Sequence, residues 1–155
     1  MPDQLVRTEI RGLRETQAKM TQVVKDLQGG PMLDGMRQAT LIVLADAKRL
    51  APVDTGRLRA SITPEVRQQS NVIQGVVGSN VAYAPCVETG TRPHWPPPGA
   101  LAVWARRHGM SEALIRFIIG TRGTKKHPYL QPALEKNVSR IVNLIGATVG
   151  RIVTK

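Results

Sequence analysis

Apolar and polar positions along the chain follow two rhythms. From Val6 to Leu27, apolar side chains return every four and three residues: Val6, Ile10, Leu13, Met20, Val24 and Leu27, with polar Gln17 in the same seam. This spacing predicts a long helix over residues 3–28 with a heptad face. Such a seam packs either on a neighbouring helix of the same fold or in an intermolecular coiled coil. Gly29-Gly30-Pro31 breaks it. Leu33, Met36, Thr40, Val43, Ala47 and Leu50 then predict a second helix over 32–50, with Leu41, Ile42 and Leu44 widening its apolar face. Asp34 near its start and Lys48-Arg49 near its end suit the helix dipole. Beyond it the period drops to two. Leu58, Ala60, Ile62 and Pro64 alternate with Arg57, Arg59, Ser61 and Thr63, which predicts a strand over 57–67. A second strand is expected over 71–79, joined to the first by a polar hairpin at Gln68–Asn71. Gly75 and Gly78 would weaken that strand unless something packs closely on them.

Between the two rhythms lies A-P-V-D-T-G, residues 51–56. Pro52 ends the helix, because it holds Ala51 extended and has no N–H to donate. Asp54 and Thr55 are suited to bonding nearby backbone, and Gly56 to a positive φ. Further on, Tyr83 and Val87 are four apart, so a helical turn over residues 81–92 would point both inward, with Pro85 in its first turn and Gly90 at its end. P-H-W-P-P-P-G, residues 93–99, is too rigid for a sheet interior. Leu101, Trp104 and Ala105 mark a helix ended by Gly109. Ser111 is placed to cap another, with Leu114, Ile115, Ile118 and Ile119 on its apolar side and Gly120 closing it. T-R-G-T-K-K-H, residues 121–127, forms a basic loop that would suit a mobile arm touching a polyanion. The last helix should bury Leu134, Val138, Ile141, Leu144 or Ile145, and Val149. G-T-R recurs at Gly90 and Gly120, an echo too short for a repeat but consistent with two similar loops on one face.

Composition sharpens the picture. A 155-residue chain makes one domain, here read as an N-terminal heptad helix (1–30) followed by a single α+β domain (31–155). Apolar residues make up 41% but aromatics only 3%, so aliphatic side chains must pack the core. No apolar run reaches the about 20 residues of a membrane span, and the start lacks a signal-peptide core. The single cysteine, Cys86, excludes an internal disulfide framework and is expected as a buried structural thiol. Net charge is +11, and residues 92–126 hold seven basic side chains against Glu112 alone. Contact with phosphate or another acidic surface follows, with Arg106, Arg107, Arg122, Lys125 and Lys126 as candidate DNA-facing residues. No groove-reading motif, P-loop or metal-ligand spacing is present, so no cofactor, metal or catalytic residue is assigned. Asp-Thr-Gly is also the aspartic-protease signature. A single copy would need a homodimer, however, and the adjacent Arg57 would keep the carboxylate ionised, against shared-proton chemistry.

Four ordered blocks carry a family resemblance: A-P-V-D-T-G-R-L-R-A-S-I, V-G-S-N-V-A-Y-A-P-C-V-E-T-G-T, H-W-P-P-P with W-A-R-R-H-G, and I-G-T-R-G-T-K-K-H-P-Y-L-Q-P-A-L. Together, over roughly residues 33–140, the chain resembles the neck or tail-completion proteins of long-tailed bacteriophages. The matching positions are Pro52, Asp54, Thr55, Gly56 and Leu58; Tyr83, Ala84, Val87, Glu88, Gly90 and Thr91; and Pro128, Leu130, Pro132, Ala133 and Leu134. The resemblance implies that these are fold and assembly positions. Many members have Phe where Tyr129 stands, and Cys86 is not a motif position. It further implies an α+β fold, a small antiparallel sheet packed against helices, in a non-enzymatic virion protein. That protein would form a ring, hexamer or dodecamer, at the head–tail junction, with genomic double-stranded DNA passing through and connector and tail proteins as neighbours. A free sequence-independent nucleic-acid-binding protein and the neighbouring tail-terminator ring are the alternatives.

Overall fold

A computed structural model describes residues 12–154. The first eleven residues, including Val6 and Ile10 of the heptad seam, lie outside the described part. Helix α1 spans Leu13–Leu27 and α2 spans Gly30–Leu50, separated by an extended Gly29. The hairpin follows as β1 (Ile62–Gln69) and β2 (Val72–Ser79), antiparallel, with Ile62 opposite Ser79 and Gln69 opposite Val72. Four further helices complete the chain: α4 (Ala84–Thr89), α5 (Ala102–Arg107), α6 (Glu112–Arg122) and α7 (Leu130–Val153). The fold is thus α+β, a two-stranded sheet packed against helices, as expected.

One departure sits at the corner. Arg57–Ser61 forms a short helix, α3, instead of the start of a strand. Leu58 and Ile62 are both buried, while Ala60 between them is exposed. One helical turn brings positions four apart to the same side, whereas an extended chain would have pointed Ala60 inward as well. Gly56, at φ 79°, makes the turn into α3.

Helix α2 is the axis of the molecule. The hairpin packs on it at Gly75, where a Cβ would come within 2.5 Å of Thr40 Cγ2 and 2.9 Å of Met36 Sδ. The close packing that Gly75 required is therefore present. The hairpin tip is tied to the α1–α2 break, since Gln68 Nε2 donates to the Gln28 carbonyl at 2.6 Å. Helix α7 runs antiparallel to α2. Gly35 meets Thr148 at one end, and Asp46 meets Asn137 at the other.

The core between these layers contains Val43, Ala47, Ala51, Leu58, Ile62, Ala84, Tyr129 and Ala133. Its composition overturns several expectations. Helix α7 buries Ala133, Asn137, Thr148 and Ile152, while Leu134 and Val138 face outward. On α2, Thr40, Val43 and Ala47 are buried as expected, but Leu41 and Leu50 are exposed and Ala39 is buried. The two helices approach closely at one end, where a Cβ on Gly35 would stand 3.1 Å from the Thr148 side chain. On α4, Ala84 is buried and Val87 packs on the core, so Tyr83 and Cys86 are exposed instead of turned inward. Helix α6 passes Gly120 and ends at Gly123, φ 73°. Gly120 serves a different purpose: the Trp95 indole lies on it, 2.6 Å from where a Cβ would stand. Ser111 makes no side-chain cap to α6.

Candidate assembly surfaces

The three motif blocks that are far apart in sequence meet at one junction. Glu88, on α4, points its carboxylate at the start of α7 and accepts backbone N–H bonds from Tyr129 at 2.8 Å, Leu130 at 3.0 Å and Gln131 at 2.9 Å. A carboxylate at a helix N-terminus satisfies donors that have no partner within the helix, and favours the dipole. Burial pushes this carboxyl up, but the three N–H donors together hold it below the ordinary glutamate range. Tyr129 lies directly beneath, fully buried, and its hydroxyl has no hydrogen-bond partner among the described residues. Burial, with Glu88 and Tyr83 nearby, pushes the phenol up, so it stays neutral. Asn137 also contributes inside, donating to Asp46 at 2.6 Å and to the Ala133 carbonyl at 2.8 Å. The Asn137 bond is the leading reason that the Asp46 carboxyl lies below its ordinary value; Lys136 and Arg49 add to it, against burial.

Residues 92–123 leave this junction and return to it as an arm. Its base is closed by a clasp. Thr91 and Thr124 form an antiparallel bridge, N–H to carbonyl in both directions at 3.2 and 3.3 Å, and their hydroxyls meet at 3.0 Å. The residue before each threonine is a glycine at φ 73°. A Cβ on Gly90 would stand 2.6 Å from the Thr124 carbonyl, and one on Gly123 would overlap the Thr91 carbonyl. The sequence echo does not hold as two similar loops, since Gly120-Thr121-Arg122 is the last turn of α6; Gly90-Thr91-Arg92 meets Gly123-Thr124-Lys125 instead. His127 N–H adds a bond to the Val87 carbonyl at 2.8 Å. The basic loop is thus pinned at Thr124 and His127 instead of forming a free arm.

Within the arm, α5 and α6 pack on each other, and Glu112 accepts the Leu101 N–H at 3.3 Å. Asp54 of the corner does not bond nearby backbone. It pairs with Arg107 at 2.8 Å, with His108 Nε2 at 3.8 Å and the His108 ring stacked on Trp104 at 4.0 Å. The D-T-G corner thereby fastens α5. Of the candidate basic residues, Arg106, Arg122, Lys125 and Lys126 have no carboxylate within 4 Å among the described residues, and Arg107 is taken by Asp54. Arg122, Lys125 and Lys126 stand with Arg92 around the clasp, whereas Arg106 lies on α5.

Many large apolar side chains lie outside. Leu134 (52% exposed), Val138 and Val142 (62%) form an outward stripe on α7 at four-residue steps. Beside it, an open groove of about 360 Å³ runs between α2, β2 and α7, lined by Met36, Val43, Val77, Leu130, Leu134 and Ile141. Leu13, Met20 and Val24 of the heptad seam are exposed along α1, and only Leu27 is half-buried. A third patch lies on the arm, around Trp95 and Phe117. Among the described residues no cluster of three or more His, Cys, Asp or Glu side chains converges, and no helix is long and apolar enough to cross a membrane.

These features define a small α+β building block whose motif residues hold helix ends and corners together. Residues 14–90 match the family described as "Bacteriophage HK97-gp10, putative tail-component". The chain belongs to this family of phage tail components, virion structural proteins. Comparison with curated proteins and with solved structures found no match. The matched segment runs from α1 to Gly90 and stops at the base of the arm.

Sequence reasoning named Glu88, Gly90 and Thr91 without their partners. It missed Asn137, Gly123, Thr124 and the Trp95–Gly120 contact. The G-T-K at 123–125 was the available signal for the clasp. For Asn137 there was none, because an asparagine between charged and apolar helix positions looks like surface.

Proposed function

We propose that this tail component is a minor structural protein of the head–tail junction. Copies of the chain close into a ring, hexamer or dodecamer, through which genomic DNA passes, and the ring joins connector and tail proteins. The observation that carries this reading is the set of exposed apolar stripes beside an alanine-rich interior. Ala39, Ala47, Ala51, Ala84, Ala105 and Ala133 occupy the interior, while Leu134, Val138, Val142 and the α1 seam face out. Contiguous apolar stripes of this kind on a small protein are surfaces to be covered. The α7 stripe with its groove, and the α1 seam, are different surfaces on one copy. They suit head-to-tail contacts, which close into rings. The N-terminal unit 1–30, of which α1 (Leu13–Leu27) is the described helix, acts in this reading as a separable contact element on the α+β body. The clasp residues Arg92, Arg122, Lys125 and Lys126 supply a sequence-independent, salt-sensitive contact to the DNA backbone.

Light scattering tests the ring. The purified protein should form a discrete oligomer, and Val138→Glu should reduce it to monomer without lowering the melting temperature. A strictly monomeric protein that never joins purified tails or connectors would sink the proposal. The cation cluster also favours a second reading, a free nucleic-acid-binding protein. That reading requires a monomer retained on duplex DNA with a steep salt slope, lost on neutralising Arg122, Lys125 and Lys126.

A further inference from the structure

The arm carries three of the chain's five aromatic side chains: Trp95, Trp104 and Phe117. Trp95 (62% exposed) and Phe117 (57%) meet edge-to-face, ring centroids 6.4 Å apart. Leu114 and Ile118 extend the same face of α6 and are exposed too. The patch is rigid. One side of the Trp95 indole rests on Gly120, His94 N–H is bonded to the Ile119 carbonyl at 3.2 Å, and Arg116 Nε donates to the Pro96 carbonyl at 3.0 Å. Its border is cationic. Arg116 lies beside Trp95, and Arg122 continues the Leu114–Ile118 line one turn on. The one acidic residue of the arm, Glu112, faces inward to the Leu101 N–H.

We infer that this patch is a docking site for a different virion protein, one presenting an apolar ridge flanked by carboxylates. The inference rests on the tail-component reading and deepens it by naming a partner chemistry. Rigid aromatics ringed by arginine are the composition of protein-binding hot spots. Charge decides the occupant. A second copy of this +11 chain brought patch to patch would set guanidinium against guanidinium. Brought head to tail it has few carboxylates to offer, since Asp34, Asp46, Asp54 and Glu65 already pair with its own basic side chains and Glu88 and Glu112 with its backbone. Duplex DNA would meet the arginines but leave Leu114, Phe117 and Ile118 against phosphate, where interfaces are polar.

A benzophenone amino acid placed at position 117 tests it in assembled particles. After irradiation, the cross-linked peptide should come from one other virion protein and carry Asp or Glu beside apolar residues. A cross-link to this chain itself, to DNA, to lipid or to a basic peptide overturns the inference, as does no cross-link. In parallel, Phe117→Ala with Arg122→Glu should weaken binding of the captured peptide more than tenfold. The variant should keep the oligomer size of the parent protein. Loss of the oligomer would make the patch a self-contact and end the inference. If the parent protein itself is monomeric, the ring fails, while the cross-link still decides the partner.

Discussion

The Tyr129 junction and the α5–α6 arm are neighbours in space but are held by opposite means. At the junction, backbone donors are met by a fixed carboxylate, alanines let helices close up, and the ring of Tyr129 is sealed from water. The arm buries little: Pro96, Ala105 and Ile115 are its buried apolar side chains, and its attachment is a threonine bridge and an ion pair. The first region is organised to be stable by itself. The second is organised to be positioned, with its large side chains left outside. Helix α7 does both, burying Ala133 and Asn137 at the junction while Leu134, Val138 and Val142 face out.

Four substitutions test that division. Gly123→Ala should have the largest effect, because the new Cβ overlaps backbone at a position already at positive φ. A loss of ~3 kcal/mol or more is expected from strain of this kind, read from urea unfolding. If the cost is below about 1 kcal/mol, the clasp does not fasten the arm to the core.

Glu88→Gln comes next, with a loss of about 2 kcal/mol from three charge-assisted bonds at a partly exposed helix start. The folded-state carboxyl lies below its unfolded value. Its contribution is therefore present above the ordinary glutamate value near about pH 4.3, and is lost as pH falls through the folded value. Unfolding midpoints measured down the acid limb should slope for the parent protein and flatten in the variant. An unchanged slope would remove Glu88 from the account.

Tyr129→Phe acts on the same region with the opposite sign. Deleting a buried hydroxyl that has no partner should raise stability by about 1 kcal/mol, visible as a higher melting temperature. A loss instead would mean that the hydroxyl is satisfied in solution.

Asp54→Asn should do least, about 0.5 kcal/mol, since both partners of the Arg107 pair are partly exposed. Hydrogen exchange should nevertheless rise in α5 and stay constant in α7. Equal changes in both would mean that arm and core are one cooperative unit.

Much of the core region was legible in the sequence. The α2 periodicity, the Pro52 corner, the hairpin and the need for close packing at Gly75 all followed from spacing and from the chemistry of proline and glycine. The α7 face was legible only in part. Ile141 packs on the core, and Leu144, Ile145 and Val149 are half-buried, as the spacing implied. Leu134 and Val138 keep the same spacing and face out, because spacing reads the same whether the covering surface comes from this chain or from another. The short α3 failed for a related reason: over five residues, Leu58, Ala60 and Ile62 fit a strand and a helical turn equally well. Of the clasp only Gly90-Thr91 was legible, since the triplet matched to it in the sequence, Gly120-Thr121-Arg122, is helical and the true partner is Gly123-Thr124-Lys125.

The bridge at Thr91 and Thr124 has one more consequence. The two strands of chain that enter and leave the arm stand side by side, so the base behaves as a socket. Whatever length of polypeptide is plugged into it, the ends arrive at the same two points, and the entropy of closing a longer insert grows only logarithmically. An insert could be lengthened, shortened or exchanged there while the carboxylate, the tyrosine and the paired helices keep their places.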